Sequence, residues 1–222
     1  MRRLEMKTID MSRSVVEALN TLRTNLFYMD NTRVIAVTSS LPGEGKSILS
    51  FALARSFAAM GKKTLYIDCD MRKSHVRSYY NVKCEEEITG LSEFLSGQTN
   101  DLIYSTNIDP DHLHVVLSGK HPPDAAGMLS SQLYSKLLNK LRESYSYIII
   151  DTPPVSAAID AQIVGHLADG VVYVVKHNYV KQTLAKHCIN QLERSGCHVL
   201  GIVMNSIDKD ATSYYEGYYG YY

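Results

Sequence analysis

The chain has 222 residues, 45% of them hydrophobic and 21% charged, which suits one generous domain with a substantial buried core. Its 23 Lys and Arg balance its 23 Asp and Glu, so no global field selects nucleic acid or an anionic membrane, and no nucleic-acid partner is expected. The opening MRRLEMKTID has no apolar run behind its arginines, and no aliphatic run approaches bilayer length, so neither a signal peptide nor a spanning helix is expected.

Cys69, Cys84, Cys188 and Cys197 lack C-x-x-C spacing, which predicts reduced thiols in a cytoplasmic protein and no zinc site. In chain order, Val15, Leu19, Leu22 and Leu26 recur at steps of four and three and predict an amphipathic helix over about 12–28. RVIAVTSS reads as a buried strand, followed by a Pro/Gly turn and a helix, KSILSFALARSFAAM, that Gly61 stops. KTLYIDCD is a second strand, EEEITGLSEFLSG a loop with a short helix, and LHVVLSG a third strand. GMLSSQLYSKLLNKLRESY predicts one helix with Leu133, Leu137, Leu138 and Leu141 on its apolar face. SYIIIDTPP, IDAQIVGHLAD and GVVYVVK follow as strand, helix and strand. A helix with the stripe Val180, Leu184, Cys188 and Leu192 then leads to a last strand, HVLGIVMN.

Strands alternating with helices, and strands apolar on both faces, predict an α/β fold whose mostly parallel sheet has helices on both faces. Periodicity ends at Asn205. The expected division is a domain over 1–205 and a disordered tail over 206–222.

SLPGEGKS, Ser40 to Ser47, fits the P-loop pattern with Ser in place of the first Gly, and it lies between a buried strand and a helix as the chemistry requires. Pro42, Gly43, Glu44, Gly45, Lys46, Ser47 and Ile48 would form the loop and helix N-terminus around the phosphates, the residues after Pro42 supplying the backbone N–H groups. Lys46 would reach the β- and γ-phosphates, and Ser47 would bind Mg²⁺. Asp151, ending the strand of IIIDTPP, suits the acid that P-loop enzymes place near the metal. Asp68 and Asp70, two residues apart in LYIDCDMR, would share one face of their strand while Cys69 takes the other. Strand C-termini border the ligand crevice of an open parallel sheet, so both carboxylates should converge on the nucleotide. One would help hold the metal. The other would accept a proton from an attacking hydroxyl.

These three stretches together resemble the bacterial tyrosine kinases of capsule and exopolysaccharide systems, P-loop enzymes related to the partitioning and septum-site ATPases. SLPGEGKS is similar to the family's Walker A motif, LYIDCDMR to its Walker A′ and IIIDTPP to its Walker B, in order and over almost the whole chain. The resemblance implies an ATP- and Mg²⁺-dependent protein-tyrosine kinase. In it Lys46 binds phosphate, Ser47, Asp70 and Asp151 serve the metal, Asp68 activates tyrosine and Asn205 contacts adenine. It also implies a transmembrane activator as partner, recruitment to the inner face of the membrane, a cognate tyrosine phosphatase and a ring of subunits. The family's oligomer helix carries E-x-x-R-x-x-R, whereas EALNTLR supplies Glu17, Asn20 and Arg23 on one i, i+3 diagonal and lacks the middle cation. PPDAAGML, from Pro122, also departs from the family, where a more polar stretch is usual.

The C-terminus, YYEGYYGYY, holds Tyr214, Tyr215, Tyr218, Tyr219, Tyr221 and Tyr222 among glycines. It matches the family's terminal tyrosine cluster, the substrate of autophosphorylation between copies. Seventeen extended residues span about 55 Å, enough to enter a neighbour's site. The competing reading is a partitioning or septum-site ATPase switch. Such switches usually carry a lysine early in the P-loop, where this chain has Leu41 and Pro42, and they lack a tyrosine tail. A third reading is a scaffold that binds nucleotide without chemistry.

Overall fold

The computed structural model describes residues 1–207. In chain order the elements are β1 (Arg2–Leu4), α1 (Arg13–Phe27), β2 (Val34–Ser39), α2 (Lys46–Ala58), β3 (Thr64–Asp68), α3 (Val76–Tyr79), α4 (Leu91–Leu95), β4 (Tyr104–Thr106) and β5 (Leu113–Val116). Then come α5 (Ala125–Leu129), α6 (Gln132–Ser144), β6 (Tyr147–Asp151), α7 (Asp160–Leu167), β7 (Gly170–Lys176), α8 (Gln182–Arg194) and β8 (Val199–Asn205). One eight-stranded sheet runs in the order β1-β4-β5-β3-β6-β2-β7-β8. Every pair is parallel except β4 with β5.

Alternation along the central strands builds two cores. Val34, Ala36, Leu65, Ile67, Ile148, Ile150 and Tyr173 face the layer that contains α5, α6, α7 and α8. Ile35, Val37, Tyr66, Ile149, Val172 and Val174 face Leu26 of α1 and Phe51, Leu53 and Phe57 of α2. This is the expected two-sided α/β sheet, with helix 12–28 found at Arg13–Phe27.

Three features differ from the expectation. The single helix over 127–145 is two, because Asp124 caps α5 by accepting from Gly127 N and Ser131 caps α6 by accepting from Tyr134 N. Restarting the helix at Gln132 turns Tyr134 into the core and leaves Leu133 exposed. β1 and β4, three residues each, extend the sheet at one edge, where their polar sequences RRL and YST carry no strand signal. Lastly, β8 is an edge strand rather than one buried on both faces: Ile202 is 57% and Met204 49% exposed. The four cysteines are free thiols.

Candidate active site

The P-loop joins β2, which lies between β6 and β7, to α2. Gly43 and Gly45 take φ of +85° and +89°, a region where a side chain is strained. At Gly45 a Cβ would also lie 2.1 Å from Asn205 Nδ2, so loop and last strand approach as closely as a bare backbone permits. Asn205 Nδ2 donates to Glu44 O at 2.8 Å, and Asn205 Oδ1 accepts from Ser206 N. The residue expected to contact adenine thus braces the phosphate loop with its amide.

Glu44 is fully buried. Its Oε1 accepts from Leu41 N at 2.6 Å and its Oε2 from Lys176 N at 3.0 Å. One carboxylate therefore fastens the loop to itself and to the end of β7. Glu44→Ala leaves both amides without their acceptor and is expected to cost roughly 2–4 kcal/mol of stability while weakening nucleotide binding. Chemical unfolding and a nucleotide titration on the same variant check both effects.

Lys46, first in α2, reaches back so that Nζ lies 3.3 Å from Asp70 Oδ2 and 3.7 Å from Asp151 Oδ1, and it donates to Ser47 Oγ at 3.1 Å. Burial alone pushes the ammonium pKa down, but Asp151, Asp70 and Asp68 outweigh it and the net shift is upward. Asp151 is fully buried and its pKa is raised, first by burial, with Lys46 opposing. Burial, and then the charge of Asp151, push the Asp68 carboxyl up to about 7.

The two acids of LYIDCDMR do converge, although not by alternation along a strand as expected. β3 ends at Asp68, and the turn beyond it delivers Asp70, whose Oδ1 accepts from Lys73 N at 2.9 Å. Asp68 Oδ1 accepts from Asp70 N, and Asp68 Oδ2 accepts from the Ser74 hydroxyl. Arg72 makes a two-pronged bond to buried Asp160, at 2.9 and 3.1 Å, which pins this turn to the start of α7. Asp70, Lys46, Ser47, Ile48, Pro42 and Tyr79 are among the walls of a cleft of about 330 Å³. Asp68, 1% exposed, lies behind that wall.

Three carboxylates face one ammonium, and Asp151 Oδ1 is buried without a hydrogen-bond partner. That surplus of negative charge and the orphaned oxygen fit a divalent cation. Among the described residues no three His, Cys, Asp or Glu side chains form a cage of their own. Such an arrangement suits Mg²⁺, which takes one or two carboxylates and completes its shell with waters and phosphate oxygens. Tyr66 OH donates to Asp151 Oδ2 at 3.3 Å and steers that carboxylate. Sequence reasoning passed over Tyr66, yet its place two residues before Asp68 puts both on one strand face.

Glu17, Asn20 and Arg23 lie along α1 but differ in exposure, Glu17 being exposed and the other two half-buried. Glu17 pairs with Arg13 at 3.0 Å, whereas Arg23 Nη1 turns inward to Ser56 Oγ at 3.2 Å. Asn20 and Arg23 line a separate cavity of about 490 Å³ between α1 and α2. The six tail tyrosines lie outside the described residues.

The AAA domain family matches residues 32–198. Over its whole length the chain is 36% identical to the tyrosine-protein kinase CpsD of Streptococcus agalactiae, 96% of which is covered. Identity to the CpsD kinase of Streptococcus pneumoniae is 39%, over 97% of this chain and 94% of that one. The crystal structure of the chimerical protein CapA2B2 superposes with a TM-score of 0.83 at 30% identity, over 92% of this chain and 93% of the other. Similarity of this extent, on a P-loop sheet with both acidic motifs in place, means that the chain belongs to the bacterial tyrosine-protein kinases and is a protein-tyrosine kinase.

Proposed function

We propose that the chain uses ATP and Mg²⁺ to phosphorylate the tyrosine cluster of a second copy, within a capsule or exopolysaccharide system and in concert with a transmembrane activator. The observation that carries this reading is Lys46, held between Asp70 and Asp151 at the mouth of the P-loop, on a chain that ends in six tyrosines within nine residues. Among the described residues no helix is long and apolar enough to cross a membrane, so membrane recruitment is assigned to the activator. Residues 1–205 are read as the kinase domain and 206–222 as its substrate segment.

In this reading the P-loop amides and Lys46 hold the β- and γ-phosphates, while Ser47, Asp70 and Asp151 hold the cation. When bound, Mg²⁺ neutralises charge on the transferring phosphoryl group. Asp68 accepts the phenolic proton. It lies behind the wall of the cleft, so the incoming hydroxyl must take the place of the Ser74 hydroxyl on its carboxylate. Tyrosine, with a pKa near 10, arrives protonated and needs that acceptor. The base-side contact is assigned to Asn205, and self-association to the α1 face bearing Glu17, Asn20 and Arg23. A tyrosine phosphatase would reset the tail.

Intact mass of the purified chain before and after Mg·ATP, beside a version ending at Thr212, tests the reading. The expected result is a ladder of phosphate additions on the full chain that collapses to a small residue on the truncated one. ATP hydrolysis without any tyrosine modification, even with the activator's cytoplasmic segment supplied, would instead mark a nucleotide switch.

A further inference from the structure

The described residues hold ten of the sixteen tyrosines. Seven are buried: Tyr66, Tyr80, Tyr104, Tyr134, Tyr145, Tyr147 and Tyr173. The three open to an approaching kinase are Tyr28, Tyr79 and Tyr179, at 78%, 47% and 49% exposure. Tyr28 ends α1. Tyr79 lines the cleft beside Lys46 and Asp70. Tyr179 stands apart because its reactive oxygen is bound to the phosphate loop itself.

Tyr179 follows β7, and its phenol donates to Pro42 O at 3.1 Å. The same oxygen lies 3.4 Å from where a Cβ on Gly43 would sit. The Lys176 ammonium lies over the ring, 5.0 Å from its centroid. Tyr179 is not itself a wall of the cleft that holds Lys46 and Asp70, and the copy that acts on it is taken to be a second one, as for the tail.

We propose that Tyr179 is a phosphorylation site outside the tail, and that its modification disables the nucleotide site of the chain that carries it. The inference rests on the transfer between copies proposed above. In the step, the bond from the γ-phosphorus of ATP to its bridging oxygen breaks and a phosphorus–oxygen bond to the phenol forms. ADP leaves, and the phenolic proton passes to the acting copy's base. The ester oxygen has no proton to donate, so the bond to Pro42 O becomes a contact between two acceptors. The new group brings a charge of roughly −1.5 to −2 to the rim of a loop whose task is to attract phosphates. Lys176, whose ammonium already lies over the ring, is placed to pair with that charge and hold it at the rim. Filling Tyr179 is thus a brake that the kinase applies to itself.

The test maps phosphopeptides of the full-length chain during incubation with Mg·ATP, and titrates a fluorescent ATP analogue into Tyr179→Phe and Tyr179→Glu. Phosphate is expected on the Tyr179 peptide and on none of the seven buried tyrosines. Tyr179→Glu should bind the analogue about tenfold more weakly than Tyr179→Phe, with an unchanged circular dichroism spectrum. Tail labelling by Tyr179→Phe should continue after wild type slows. If Tyr179→Glu fails to fold, the affinity lost on labelling is compared between wild type and Tyr179→Phe, which share the tail phosphates; a larger loss in wild type is expected. Equal affinities, or a heavily labelled tail beside an unmodified or Tyr79-only body, would overturn this inference and leave the tail reading standing. No phosphate on tail or body overturns both.

Discussion

Lys46→Met is expected to abolish phosphotyrosine, with labelling down at least about a thousandfold. The lysine is the one cation within salt-bridge distance of Asp70 and Asp151 among the described residues. Methionine copies most of its length and bulk but carries no charge, so α2 and the loop keep their packing. What changes is the field. Asp68, Asp70 and Asp151 would then meet an incoming triphosphate with no protein cation among them. In a buried site such a charge contributes several kcal/mol to the bound nucleotide and more to the transition state. Radiolabel incorporation and a nucleotide titration should fail together in this variant. Labelling within tenfold of wild type would remove Lys46 from the mechanism. The unfolding midpoint serves as a control, since carboxylates that lose their partner take up protons rather than stay charged in the interior.

Asp68→Asn is expected to separate binding from transfer. Asparagine matches the shape of aspartate, can still accept from Asp70 N, and can donate to the Ser74 oxygen in place of accepting from it. Nucleotide affinity should therefore stay within about threefold, while labelling falls roughly 10²–10⁴-fold, the usual contribution of a general base. Burial and the Asp151 charge hold the Asp68 carboxyl at about 7, near the pH where such a base works best. A base accepts protons only when ionised, so transfer should decline as pH falls through that value. Full activity in Asp68→Asn would shift the role to Asp70, the acid that faces the cleft.

Much of this was legible because the decisive patterns are local. SLPGEGKS between a buried strand and a helix determines where Lys46 and Ser47 stand, and IIIDTPP places Asp151 at a strand end. The split between α5 and α6 also had a local signal, since Asp124 and Ser131 each precede by three residues an amide they cap. It was overridden by a leucine pattern that fits one helix nearly as well as two. Other features are not local. Asn205 meets Glu44 across 161 positions and Glu44 meets Lys176 across 132, and no periodicity reports such pairs. Asp70 lies in between: alternation suggested the right neighbours for it, but a turn rather than a strand brings it there.

The brace between Asn205 and the phosphate loop decides how this protein can be cut and labelled. A deletion beginning at residue 205 would take away the amide that holds Glu44 O, and so would weaken ATP handling as well as removing the tail. Its loss of signal would be credited to missing acceptors when the engine itself had been damaged. Reporters, affinity tags and truncations belong beyond Ser206, whose N–H Asn205 Oδ1 accepts, so that a silent variant speaks about its substrate and not its motor.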